Sequence, residues 1–117
     1  MREKARQNLK AGRVLLDAGL LDAAASRFYY AAFQAAVYAL ERQGRRPSDF
    51  RGGARRWEHR MVAGVGNLAR GRVGDDVLLD DLRRIREDAD YKPGAVRRSD
   101  LEFLKHEAAR FVEEVTR

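Results

Sequence analysis

The sequence predicts an all-α domain built as an antiparallel bundle of four to five helices. Three observations carry this expectation. Apolar residues recur at spacings of three and four along five segments, and nowhere alternate with the period of two that a strand shows. Only two prolines, Pro47 and Pro93, interrupt the chain, so long stretches are free to be helical. The length of 117 residues suits one domain around one core, and no repeat, low-complexity tract or domain-scale linker divides it. Residues 1–117 are therefore read as a single domain.

The first segment runs from about Arg2 to Ala18. Ala5, Leu9, Gly12 and Leu16 share its buried face, and Gly19 is placed as a stop. The second begins near Asp22, read as an N-cap, and ends at Gly44. Its stripe is Tyr29, Phe33, Ala36 and Leu40, with Ala25, Ala32, Ala35 and Ala39 offering small surfaces nearby. A helix apolar over so much of its circumference belongs at the centre of a bundle. Residues 44–53 break the pattern and read as a mobile basic loop. A third helix places Trp57, Met61, Val65 and Leu68 at helical spacing, and its end is weakened by Gly64, Gly66, Gly71 and Gly74. Asp75-Asp76 opens a fourth helix, whose stripe is Leu78, Leu82, Ile85 and Ala89; it ends near Tyr91 because Pro93 disfavours helical geometry at Lys92. The fifth has a capping-box pattern, Ser99-x-x-Glu102, followed by Leu101, Leu104, Ala108, Phe111 and Val115.

Composition excludes several classes of function. There is no cysteine, hence no disulfide, thiolate zinc site or cysteine nucleophile. No stretch approaches the ~20 apolar residues that span a bilayer. The N-terminus leads into no apolar signal region, so a cytoplasmic protein without membrane association is expected. The balance of 24 basic to 18 acidic residues gives a net charge of +6, nearly all of it arginine. Such a balance suits nucleic acid or an acidic partner, but on charge alone a solvated, salt-bridged surface is the simpler account.

Several constellations could carry chemistry. Arg86 lies four residues before Asp90 and flanks the apolar stripe, with Tyr91 at the helix end. Arg86, Asp90 and Tyr91 could bind and orient a phosphate; a surface ion pair is the alternative, as for Arg83–Glu87 and Arg84–Asp88 at the same spacing. Arg27 and Tyr30 sit among alanines, and Arg27 calls for a partner such as Asp88 or Asp90, or else covers apolar surface with its stem. From Arg42 to Arg60, seven arginines interleave with Phe50, Trp57 and His59. That composition suits single-stranded RNA, or else a disordered loop with Trp57 in the core. His59 and His106 lack a second histidine at helical spacing, so no metal site is expected; His59 could act as a general acid or base, or be structural. Asp75-Asp76 and Asp80-Asp81 could attract a cation, but helix-start electrostatics explains the first pair. The glycines between Gly64 and Val73 imitate a phosphate loop without its strand, lysine or hydroxyl residue. No cofactor is expected.

The run Leu15-Leu-Asp-Ala-Gly19-Leu-Leu-Asp22-Ala-Ala-Ala-Ser-Arg27-Phe-Tyr-Tyr30-Ala-Ala-Phe33 resembles the opening hairpin of bacterial and archaeal HEPN domains. The later Arg-x-x-Ala-Asp-Tyr, Arg86 to Tyr91, resembles the signature of one subgroup, and the similarity covers nearly the whole chain. The resemblance implies a helical bundle that dimerises, often encoded beside a minimal nucleotidyltransferase as a toxin–antitoxin pair. Many members are metal-independent ribonucleases whose arginine, polar residue and histidine lie at a dimer cleft. Here Arg86 and Glu87 fit the start of that motif, and Tyr91 takes the histidine's position. A phenol with a pKa near ~10 shuttles protons poorly at neutral pH. The resemblance thus implies a homodimeric module that binds RNA, a nucleotide or a nucleotidyltransferase partner in a groove lined by Arg27, Tyr30, Arg86, Asp90 and Tyr91. The alternatives are an active ribonuclease, with Arg86 and either Tyr91 or His59 as catalytic groups, and a small-ligand or nucleotide-binding bundle.

Overall fold

Ala5, Leu9, Gly12 and Leu16 line the buried side of a helix over Arg2–Asp17 (α1), as their spacing requires. In the computed structural model, residues 1–62, 75–92 and 94–117 are described, the side chains of 75–77 excepted. The Val65–Leu68 stretch, the Gly64–Val73 glycines, the side chains of Asp75-Asp76 and Pro93 lie outside those residues. The remaining elements are α2 (Leu21–Arg42), a short 3₁₀ turn (Pro47–Asp49), α3 (His59–Val62), α4 (Asp75–Tyr91) and α5 (Arg98–Val115). The order and all-helical character agree with the sequence reading.

Gly19 and Gly44 close the first two helices. At the end of α1, Gly19 has φ +78°, and Gly19 N–H and Leu20 N–H donate to the carbonyls of Leu16 and Leu15. Gly44 repeats this after α2, with φ +78° and bonds from Gly44 and Arg45 to Glu41 and Leu40. Both close their helices as Schellman motifs, which need a residue tolerant of positive φ. This closure shifts the start of α2. Its N-cap is Leu20 rather than Asp22, because the Leu20 carbonyl already accepts from Ala24 N–H. The proposed capping box of α5 is also not formed. The helix begins at Arg98 with Arg97 as N-cap, so Ser99 falls inside the first turn, and Glu102 pairs with Lys105 at 3.0 Å. The basic loop is more ordered than its composition suggests: Arg46 N–H donates to the Asp49 carboxylate at 2.7 Å around Pro47. Trp57 precedes α3 instead of lying within it, half-buried with its ring against Phe50.

α2 is the central element and touches α1, α3, α4 and α5. Ala24, Ala25, Ala31, Ala32, Ala35 and Ala36 are fully buried on it. Methyl side chains on several faces let neighbouring backbones approach from several directions, while Phe28, Leu40 and Phe111 fill the space between. α4 contributes Leu78, Leu79, Leu82 and Ala89, with Ile85 half-buried; α5 contributes the whole seam expected of it, Leu101, Leu104, Ala108, Phe111 and Val115. The chain ends are tied together: Arg2 Nε donates to the Thr116 carbonyl at 2.7 Å and Arg6 Nε to the Thr116 hydroxyl at 3.0 Å. Among the described residues no helix is long and apolar enough to cross a membrane.

The α1–α2 contact depends on an absent side chain. A Cβ placed on Gly12 would meet the Phe28 ring at 2.7 Å, and that ring is fully buried. Gly12→Ala gains about 1 kcal/mol of helix propensity, while overpacking a closed site costs about 1–3 kcal/mol. The expected outcome is a net loss of about 1 kcal/mol in denaturant unfolding, relieved when Phe28→Leu is added to make room.

Candidate functional site

α2, α3 and α4 meet around two consecutive tyrosines. Successive residues of a helix point about 100° apart, so Tyr29 turns into the core at 5% exposure while Tyr30 stays 37% exposed. Their rings meet edge to face at 5.2 Å. From α4, the half-buried Arg86 lays its guanidinium across both: its Cζ stands 4.9 Å from the Tyr29 ring centre and 5.5 Å from that of Tyr30. Its Nη1 donates to the Tyr30 hydroxyl at 2.8 Å. Its Nε is buried with no hydrogen-bond partner among the described residues, and no carboxylate of those residues pairs with it. A cation held against two rings, with no carboxylate partner among the described residues, is poised to accept an anion from outside.

His59, the first residue of α3, extends the cluster. Its Nδ1 lies 2.9 Å from the Tyr29 hydroxyl and its Nε2 2.8 Å from Asp80 Oδ1 on α4. With a neutral ring, Nε2–H donates to Asp80 and Nδ1 accepts the Tyr29 O–H. With a protonated ring, both nitrogens donate and the Tyr29 oxygen accepts. The chain Asp80–His59–Tyr29 therefore stays connected in either state. The imidazole is nearly enclosed, its side chain 10% exposed, whereas Asp80 is 59% exposed. The aspartate is the wet end of the relay.

Burial raises the Tyr29 phenol above its ordinary 10.0, partly opposed by the positive charges of Arg86 and Arg83. The folded state thus holds this proton to higher pH than the unfolded chain. Its contribution to stability is complete below the unfolded pKa and is lost as pH rises through the folded one. Ultraviolet titration should show a late tyrosine step, with stability declining above about pH 10; Tyr29→Phe should remove that step.

Of the residues singled out in the sequence, Arg86 and Tyr30 are brought together, and His59 joins them through Tyr29. Arg27 is elsewhere: its Nη1 donates to Asn8 Oδ1 on α1 at 3.1 Å, not to Asp88 or Asp90. Asp90 is exposed and does not bond Arg86, since the guanidinium turns inward onto the rings instead of along its own helix. Tyr91 is 81% exposed at the end of α4, with no ring contact or hydrogen bond to Arg86. Among the neighbouring pairs, Arg83–Glu87 forms at 2.9 Å, but Arg84 pairs back to Asp81 at 3.6 Å and not with Asp88. Sequence reasoning missed Tyr29 as a site residue and read Asp80 only as a possible cation ligand, not as the partner of His59. Tyr29 reads as core by periodicity, and no local pattern links His59 to an aspartate 21 positions away. Among the described residues no three His, Cys, Asp or Glu side chains gather as a metal site.

The family model of the HEPN domain matches residues 1–117, the full chain, while no curated protein and no solved structure matches it. The helical bundle agrees with that match. On its full-length agreement, the chain belongs to the HEPN-domain family.

Proposed function

We propose that this chain is a homodimeric HEPN module that binds a phosphate-bearing ligand, a nucleotide or an RNA phosphate, through Arg86 and Tyr30, within a cytoplasmic toxin–antitoxin system whose partner is a nucleotidyltransferase. The observation that carries the reading is the Arg86 guanidinium, fixed on two tyrosine rings and left without a carboxylate among the described residues. Arginine's planar fork suits a phosphate, and fixing the side chain in advance reduces the entropy lost on binding. Tyr30 and Arg27 lie one turn apart on α2 and are both exposed, so a second copy could face them. Tyr91, solvated and apart from Arg86, lacks the setting of a proton shuttle, which favours binding over cleavage. A nucleotide titration followed by thermal shift tests the site: stabilisation that grows with ligand supports it, and none at millimolar nucleotide removes it. A monomer in sizing at micromolar concentration removes the shared groove.

The Asp80–His59–Tyr29 chain beside Arg86 favours a second reading, a metal-independent ribonuclease with His59 as the proton-transfer group. RNA cleavage lost in His59→Ala and kept in Tyr91→Phe would support it; no cleavage by folded protein on long incubation would leave the binding reading alone.

A further inference from the structure

Residues 41–60 hold seven arginines against Glu41, Asp49 and Glu58, a net +4 of the chain's +6. Charge this concentrated on one connection and the helix ends that flank it is more than a generally basic surface explains. Its distribution is also selective. Glu58 neutralises Arg51 at 2.9 Å and Arg60 at 3.0 Å. Arg55 and Arg56 are exposed and make no ion pair among the described residues. Arg45 stands over the Phe50 ring at 5.2 Å, and Arg42 over the Tyr38 ring at 5.6 Å. Phe50 keeps 37% of its surface open and leans on Trp57 at 5.6 Å with the planes 61° apart. The 3₁₀ turn and the Ala54 N–H bond to the Arg51 carbonyl hold the connection in shape.

We infer that this connection between α2 and α3 is a docking platform for single-stranded nucleic acid, separate from the Arg86 site and independent of the function proposed for it. Guanidinium groups held over rings, with Arg55 and Arg56, unpaired among the described residues, on the same connection, offer both π surfaces and cations, the two features that the bases and phosphates of a strand call for. A duplex keeps its base faces stacked and unavailable to Phe50. An acidic peptide would use the charges and leave the open ring unused.

Fluorescence anisotropy with a short labelled oligouridine tests the platform on the full chain. Arg55→Ala/Arg56→Ala should weaken binding about tenfold and reduce the salt slope by about 1.4, two single-strand contacts at ~0.7 each. Phe50→Ala should weaken it roughly 5- to 160-fold, and a matched duplex should bind less tightly and ignore that substitution. All three residues are exposed, so circular dichroism should show the variants folded. Wild-type affinity in both variants overturns the inference, as does poly-glutamate competing as well as oligouridine at equal charge. Loss of nucleotide binding in Arg86→Ala reports on the other site and leaves this one standing.

Discussion

Phe28→Ala should lower the unfolding free energy by about 3–5 kcal/mol, the range for removing a fully enclosed aromatic ring. Domains of this size are stable by about 5–15 kcal/mol, so the loss takes a large share of the total. The ring is completely buried, and it seals the gap left by Gly12 where α1 crosses α2. Removing it leaves a void that the small neighbours on α2 cannot fill, because alanine methyls have no alternative rotamers. A fall in Tm of roughly 10–20 °C is expected. Phe103→Ala is the control: at 65% exposure on α5 its loss should stay within about 0.5 kcal/mol. Equal effects from the two substitutions would contradict the packing described for α1 and α2.

Arg86→Ala should separate binding from stability. Nucleotide affinity should fall at least tenfold, about the contribution of one charge-assisted hydrogen bond of 1.5–3 kcal/mol. Stability should change far less. The substitution forfeits cation–π contacts worth about 0.5–2 kcal/mol and one hydrogen bond worth about 1 kcal/mol. It also releases a buried N–H that lacks a partner among the described residues, relief of about 1–3 kcal/mol. These terms nearly cancel. Arg86→Lys should not restore binding, because an ammonium does not offer the planar fork of a guanidinium. A variant destabilised by several kcal/mol whose folded population binds nucleotide with unchanged affinity would make Arg86 a structural residue.

Helical periodicity along the chain dictates the bundle. Leu101, Leu104, Ala108, Phe111 and Val115 reach the core because helical spacing leaves them one direction in which to be dry, and Gly19 and Gly44 end their helices because the reversal needs positive φ. The family was legible in the same pattern, and the full-length match bears it out. Part of the site was legible too: Arg86, Tyr30 and His59 stood out as chemical groups in otherwise apolar or regular surroundings. Which groups they meet was decided only by tertiary structure. Arg86 had Asp90 one turn away and took the rings of Tyr29 and Tyr30 instead, and Arg27 took Asn8 instead of the acids of α4. Spacing along a helix says which side chains can reach one another. It does not weigh a solvated aspartate against aromatic faces on a neighbouring helix, and that balance depends on desolvation at a contact that exists only once α2, α3 and α4 have packed.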